Sequence, residues 1–233
     1  MIKAVVFDMD GVLIDAQEWH YDALNRALGL FGFEISRYAH LTTYNGLPTS
    51  KKLKMLTTEC GLPIELHDFI NEMKQIYTME IVHARCKPRF DHEYALSRLK
   101  NMGFRVAVAS NSVRATVEIM MQKAHLTPYL DVILSAEDVQ NPKPSSDIYQ
   151  LAANRLGLTP EECLVVEDNE NGVKAAIAAN AHLLVVRDVA EVNLDNITKR
   201  IKQIKGVVNW STSSFSRPAA LSSTIATAPI HSV

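Results

Sequence analysis

The chain has 233 residues, enough for one sizeable hydrophobic core with a smaller accessory unit, and an even mixture of acidic and basic residues gives it a formal charge of -2. That balance leaves no basic stripe to neutralise a nucleic-acid backbone, so nucleic acid is excluded as a partner and a small molecule is the natural one. The three cysteines, Cys60, Cys86 and Cys163, lie far apart without a Cys-x-x-Cys pair and suggest neither a disulfide framework nor a zinc site, and no apolar run approaches the ~18 residues of a membrane span.

Met1 to Phe7 runs directly into Asp8 and Asp10, unlike a signal peptide, and the expectation is a cytoplasmic monomer with no membrane contact. The first predicted element is a strand, Ala4–Phe7, apolar and without helical spacing. From Ala16 to about Ala84 no strand pattern appears. Helical patterns recur there instead, at Trp19–Leu30, Ser50–Glu59 and Glu65–Val82, which predicts a helical unit inserted behind the first strand. Gly46-Leu47-Pro48-Thr49-Ser50 reads as a turn feeding a helix, with Thr49 or Ser50 as its N-cap, and as a loop able to face a site.

Beyond the insertion the pattern alternates. Helices at Glu93–Met102, Arg114–Ala124, Asp147–Leu156 and Gly172–Asn180 interleave with strands at Arg105–Ala109, Val132–Leu134, Leu164–Val166 and Leu183–Val186. Such alternation implies right-handed crossovers and an α/β fold: a Rossmann-like, doubly wound parallel sheet covered on both faces. The predicted division is a core of residues 1–15 and 85–206, the helical insertion 16–84, and a tail 207–233. Ser, Thr and Ala dominate that tail, together with Pro218 and Pro229, and it shows no sustained period.

The chemistry-bearing residues cluster behind the strands. Asp8 and Asp10 are two apart on an extended chain and face one spot, and Gly11 permits a sharp turn behind them. Two close anions suit a divalent cation, although an Asp-x-Asp alone also suits a surface turn. Ser110-Asn111-Ser112 follows the second strand and reads either as a helix cap or as an anion cradle. Lys143 is held between Pro142 and Pro144, which orient a side chain that would otherwise be a solvated surface lysine. Glu167-Asp168 ends the fourth strand, as an acidic pair at a helix start or as half of a cation site. In an open parallel sheet all of these strand ends converge on one crevice.

Asp8-x-Asp10-Gly11-Val12, Ser110, Lys143 and Glu167-Asp168 resemble, in order and spacing, the four motifs of the haloacid dehalogenase superfamily. The resemblance spans Met1 to about Val186 and is nearest to the branch with a helical cap between the first and second motifs, which holds β-phosphoglucomutases and small sugar-phosphate phosphatases. It implies that Asp8 attacks phosphorus to form an aspartyl-phosphate, and that Asp10 protonates the leaving oxygen and then activates water. The metal would be Mg²⁺, held by Asp8, the backbone carbonyl of Asp10 and Asp168, with Glu167 as a direct or water-mediated acidic partner. Ser110, Lys143 and the amide of Asn111 would bind the phosphoryl oxygens. The carboxylic acid at Asp10 favours phosphate-ester chemistry over dehalogenation, because an alkoxide leaving group needs a proton.

The expected function is therefore Mg²⁺-dependent hydrolysis of a small phosphorylated metabolite. The alternative is a phosphosugar mutase, and a non-catalytic binding module of the same fold is a third reading. His20, in the first cap helix, resembles a gating histidine of the mutases but equally suits an ordinary exposed helix position. The cap loop carries Thr49 where those mutases have an Arg for a second phosphate, with Lys51, Lys52 and Lys74 as possible replacements. Trp19 is expected to pack on the cap or hinge, Asp15 to make a structural hydrogen bond, and Cys163 to lie in the core.

Overall fold

A computed structural model describes residues 1–210 of the chain. Five strands, β1 (Ala4–Phe7), β2 (Arg105–Ala109), β3 (Val132–Leu134), β4 (Cys163–Glu167) and β5 (His182–Val185), form one parallel sheet in the order β3-β2-β1-β4-β5. The doubly wound Rossmann-like core is thus present, with β1 at its centre. Its register runs from Ala4↔Arg105 to Phe7↔Val108 on one side and from Ala4↔Cys163 to Phe7↔Val166 on the other. The connection reverses direction at β1, and the crevice that opens beyond such a switch point is where ligands bind in sheets of this kind.

Strands β1 and β4 are buried along their whole length, as continuous apolar runs covered on both faces must be. Alternate residues feed different cores: Val5 and Phe7 join Leu96, Leu99, Val117 and Ile197 on one face, while Ala4 and Val6 join Ile148, Ala152 and Ala175 on the other. The covering helices are introduced in chain order with the insertion first. Between β1 and β2 lie α1 (Gln17–Gly29), the single turn α2 (Arg37–Ala39), α3 (Thr49–Cys60), α4 (His67–Arg85) and α5 (Phe90–Asn101). Helix α6 (Arg114–Lys123), α7 (Asp147–Arg155), α8 (Glu170–Ala178) and α9 (Leu194–Trp210) follow.

Helices α1, α3 and α4 share a separate apolar cluster that includes Leu24, Leu28, Leu53, Leu56 and Ile70. Fully burying side chains of this size contributes roughly 1.5–3 kcal/mol each, so the insertion carries its own source of stability. Helix α2 runs into a π-helical turn, His40–Tyr44, too short to leave a periodic signature in the sequence.

Four local expectations are corrected. Neither Thr49 nor Ser50 caps α3: the helix already includes both, and Pro48, with φ -58, stands at the N-cap position without a side-chain cap. Pro48 has no side-chain acceptor, so the first-turn N–H groups of α3 go without a side-chain cap. Ser110–Ser112 precede α6 instead of opening it, since Val113 is the N-cap residue. Asp15 is exposed and makes no side-chain hydrogen bond among the described residues. Helix α9 also runs through residues 207–210, which the sequence reading gave to the tail; 211–233 lie outside the described residues. Among the described residues no helix is long and apolar enough to cross a membrane.

Candidate active site

Asp8 follows the last residue of β1 and is buried. Lys143 Nζ donates to Asp8 Oδ1 at 2.5 Å and to Glu167 Oε1 at 2.7 Å, with only 2 % of the lysine exposed. One cation therefore links the ends of β1 and β4. Asn111 fixes the backbone of that lysine from across the crevice: its Oδ1 accepts from Lys143 N at 3.0 Å and its Nδ2 donates to Lys143 O at 3.2 Å. The side chain of Asn111 is thus engaged in holding Lys143, and these bonds leave the backbone amide expected at the phosphoryl oxygens untouched.

Glu167 is wholly buried and its carboxylate is saturated. Oε1 also accepts from Tyr149 Oη at 2.6 Å, and Oε2 accepts from Asp168 N at 3.1 Å and Asn169 Nδ2 at 3.2 Å. Gly172, in the first turn of α8, lets this carboxylate approach the helix, because a Cβ there would stand 1.6 Å from Oε1. Asp168 Oδ2 accepts from Gln17 Nε2 at 2.6 Å. Gly11, at φ +88, leaves room for Asp168, whose Oδ2 would lie 2.2 Å from an added Cβ.

Asp8, Glu167 and Asp168 each offer an oxygen within 4.8 Å of the others. Burial pushes the Asp8 carboxyl well above its usual range and the charge of Glu167 adds to this, with Lys143 opposing. Burial and Glu167 likewise push Asp168 up to about 6. Burial alone would lower Lys143, but Asp8 and Glu167 outweigh it and its ammonium is held charged. Asp8 and Asp168, crowded by the Glu167 behind them, present hard carboxylate oxygens to the cleft that a divalent cation fits.

The side chain of Asp10 stands outside that acidic group. Its Oδ1 lies 3.0 Å from His20 Nε2, and its Oδ2 accepts from Ser112 Oγ at 2.8 Å. Burial opposes its ionisation, but the charge and hydrogen bond of His20, the Ser112 hydroxyl and the charge of Lys74 together hold its pKa below the ordinary value. His20 is itself lowered, by burial and by Lys74, against the pull of Asp10. Lys74 Nζ is 3.4 Å from His20 Nδ1, so α1 and α4 jointly reach Asp10. Buried Ser110 turns the neighbouring loop inward, its Oγ accepting from Ser112 N at 3.0 Å.

These groups line one cleft of about 250 Å³ between the sheet and the insertion. Asp8, Asp10, Ser110, Asn111, Lys143 and Asp168 form its floor; His20, His40, Thr49, Lys52 and Lys74 come from the insertion. Glu167 is behind Lys143 and does not line the cleft. Of the three lysines proposed to stand in for an Arg, Lys51 is exposed and absent from the lining, while Lys52 and Lys74 are buried in it. Trp19 packs on the core cluster, and buried Cys163 is pushed up to about 11 by its surroundings, which leaves it an inert thiol at neutral pH. Gln17, His40 and Tyr149 have no role in the sequence analysis; nothing short of the folded arrangement relates them to the acidic groups.

The loop 45–46 is seated on the core. Asn111 Nδ2 donates to Gly46 O and Asn171 Nδ2 to Asn45 O, both at 3.4 Å. Gly46 has φ +68, and an added Cβ would meet Asn169 Oδ1 at 2.8 Å.

Similar proteins are found among phosphatases. The phosphorylated carbohydrates phosphatase of Thermotoga maritima is 29% identical over 181 residues, covering 76% of this chain and 82% of that protein. The fructose-1-phosphate phosphatase of Escherichia coli is 28% identical over 184 residues, covering 78% and 95%. A crystal structure of β-phosphoglucomutase from Clostridium difficile superposes with a TM-score of 0.77 over 88% of this chain and all of that one; at 21% identity this likeness concerns the fold. The family model for haloacid dehalogenase-like hydrolases matches residues 5–186, the span holding every cleft residue named above, and the chain belongs to that family.

Proposed function

We propose that the chain is a Mg²⁺-dependent phosphatase that hydrolyses a small phosphate monoester, a phosphorylated sugar or related metabolite, through an aspartyl-phosphate on Asp8. The observation that carries this reading is the placement of Asp8 and Asp10 in one cleft with different partners. Asp8 is bound to Lys143 within an acidic cluster, and Asp10 is bound to a histidine and a hydroxyl. One carboxylate is thereby suited to attack and the other to proton transfer.

Asp8 and Asp168 would hold the metal, whose contribution when bound is to offset charge on the phosphoryl oxygens and the attacking carboxylate. Lys143 keeps Asp8 oriented and supplies positive charge beside the phosphoryl group. Ser110, on the cleft floor, offers a hydroxyl to the same oxygens. Asp10 donates its proton to the leaving oxygen and later takes one from water, while His20 and Ser112 fix where its carboxylate points. Glu167 touches no reactant; it completes the surroundings of Lys143 together with Tyr149.

The hydrolase reading over the mutase is supported by the neutral Thr49 side of the loop and by the phosphatase relatives. The test is phosphate release from p-nitrophenyl phosphate and sugar phosphates by the native chain and by Asp8→Asn. Release should require Mg²⁺, stop in EDTA and vanish in the variant. Turnover that survives either treatment refutes the mechanism. Conversion of β-glucose 1-phosphate to glucose 6-phosphate with little phosphate release would make it a mutase.

A further inference from the structure

Residues 11–16 bring the chain from Asp10 to α1, whose first turn sends two side chains back to the core. His20 lies against Asp10, and Gln17, on the same face of the helix, donates from Nε2 to Asp168 Oδ2 at 2.6 Å. The two bonds go to carboxylates of different kinds. Asp10 is the acid and base of the proposed reaction, whereas Asp168 belongs to the acidic group that suits a cation. One turn of the insertion thus touches both.

Gly11 makes the place where Gln17 meets Asp168. A Cβ on it would stand 2.2 Å from Asp168 Oδ2 and 2.7 Å from Gln17 Nε2, so any other residue would force the pair apart. The other oxygen, Asp168 Oδ1, accepts from Asn169 Nδ2 at 3.1 Å. Asn169 is the next residue in the chain and moves with Asp168; Gln17 is the partner that ties it to a separate element. An amide suits this task because it donates without adding charge, whereas a carboxylate at the same place would face Asp168 as a second anion. A carboxylate oxygen carries two lone pairs, and accepting one bond leaves it able to face a cation.

We propose that Gln17 is a positioning residue for the metal: it fixes the Asp168 carboxylate in the orientation that Mg²⁺ needs, and metal binding in turn holds the first turn of α1 on the core. This rests on the placement of Mg²⁺ at Asp8 and Asp168 in the preceding reading. The two effects are one coupling seen from its two ends. If the seated helix favours the ion, the ion favours the seated helix by the same factor. Because His20 leaves the same turn, the ion also steadies the contact with Asp10.

The test measures Mg²⁺ binding by calorimetry on the full chain without substrate. Gln17→Met keeps the length of the side chain and removes its donor, and Gln17→Asn keeps the amide but not its reach. Both should bind Mg²⁺ about tenfold or more weakly than the native chain, the usual effect of losing a partner that orients a metal ligand. Hydrogen exchange along the first two turns of α1 should slow when Mg²⁺ is added to the native chain. In Gln17→Met it should stay unchanged even at saturating Mg²⁺. Turnover of p-nitrophenyl phosphate by both variants should recover as Mg²⁺ is raised, which a purely structural defect would not allow. Native affinity in either variant, or equal slowing of exchange in the native chain and Gln17→Met, overturns the proposal. So does loss of folding by both variants in EDTA, because Gln17 would then serve the fold and not the metal. Mg²⁺ affinity that depends on Gln17 in a chain that releases phosphate from no ester would keep this role and refute the phosphatase. Phosphate release with an affinity indifferent to Gln17 would do the reverse.

Discussion

His20 Nε2 lies 3.0 Å from Asp10 Oδ1, and this contact, with the Ser112 hydroxyl on the other oxygen, keeps Asp10 ionised near neutral pH. The residue assigned to protonate a leaving oxygen is therefore in its base form in this conformation. In the proposed role its acid form requires these contacts to loosen, which would tie proton delivery to movement of α1 against the core.

Removing His20 should move Asp10 towards a higher pKa, since the histidine is one of the groups that lower it. In His20→Gln the limb of the pH profile of kcat/KM that belongs to Asp10 should shift to higher pH. A profile that keeps its shape and position while only its height drops would show that His20 does not act through Asp10.

Lys143→Met should cost both activity and stability. It leaves Asp8 and fully buried Glu167 facing one another without a cation, and breaking a buried pair by removing one partner costs about 3–5 kcal/mol. Adding Glu167→Gln should recover part of the melting temperature and none of the turnover. A single variant that melts like the native chain in the absence of Mg²⁺ would contradict this account of the pair.

Gly46→Ala should raise KM far more than it lowers the melting temperature. A Cβ at this left-handed position would stand 2.8 Å from Asn169 Oδ1 and so push the loop off its seat on the core. The loop lies at the edge of the insertion, so the hydrophobic clusters stay intact. Kinetics paired with thermal melts separate the two effects, and a loss of stability without a change in KM would refute the seating role.

Gly172→Ala should be more damaging, because the added carbon would sit 1.6 Å from Glu167 Oε1 and force that carboxylate away from Lys143 and Tyr149. Overpacking of this kind costs ~1–3 kcal/mol, and here it also misplaces the lysine that holds Asp8. Circular dichroism melts and phosphate release should both fall; full activity in this variant would mean that Glu167 has freedom to move.

Much of this arrangement is legible in the sequence because the residues concerned obey local rules. The Val-rich runs ending at Phe7, Ala109 and Leu134 have strand bounds that coincide with β1, β2 and β3. The polar clusters behind β1, β2 and β4, together with Lys143, are the ones the fold gathers, because a parallel sheet aligns its strand ends. Other features depend on helix phase and on tertiary approach. Lys51 and Lys52 are indistinguishable in a string of letters, yet the phase of α3 sends one to solvent and buries the other. Gln17 meets Asp168 across 151 residues, and Tyr149 meets Glu167 between two elements that carry no shared motif. His40 belongs to a turn whose π geometry leaves no period to read.

The central place of β1 also shapes how the chain comes into being. During synthesis Ala4–Phe7 leaves the ribosome well before its ladder partners, which begin at Arg105 and Cys163. While the helices of the insertion are made and can gather around Leu24, Leu53 and Ile70, an apolar strand with both edges unpaired waits beside them. Asp8 is attached to that waiting strand, so it acquires Lys143 only after a further 135 residues have emerged. Nascent chains stalled before β2 should therefore be the ones most readily bound by chaperones, with the insertion already compact and the future active site still open.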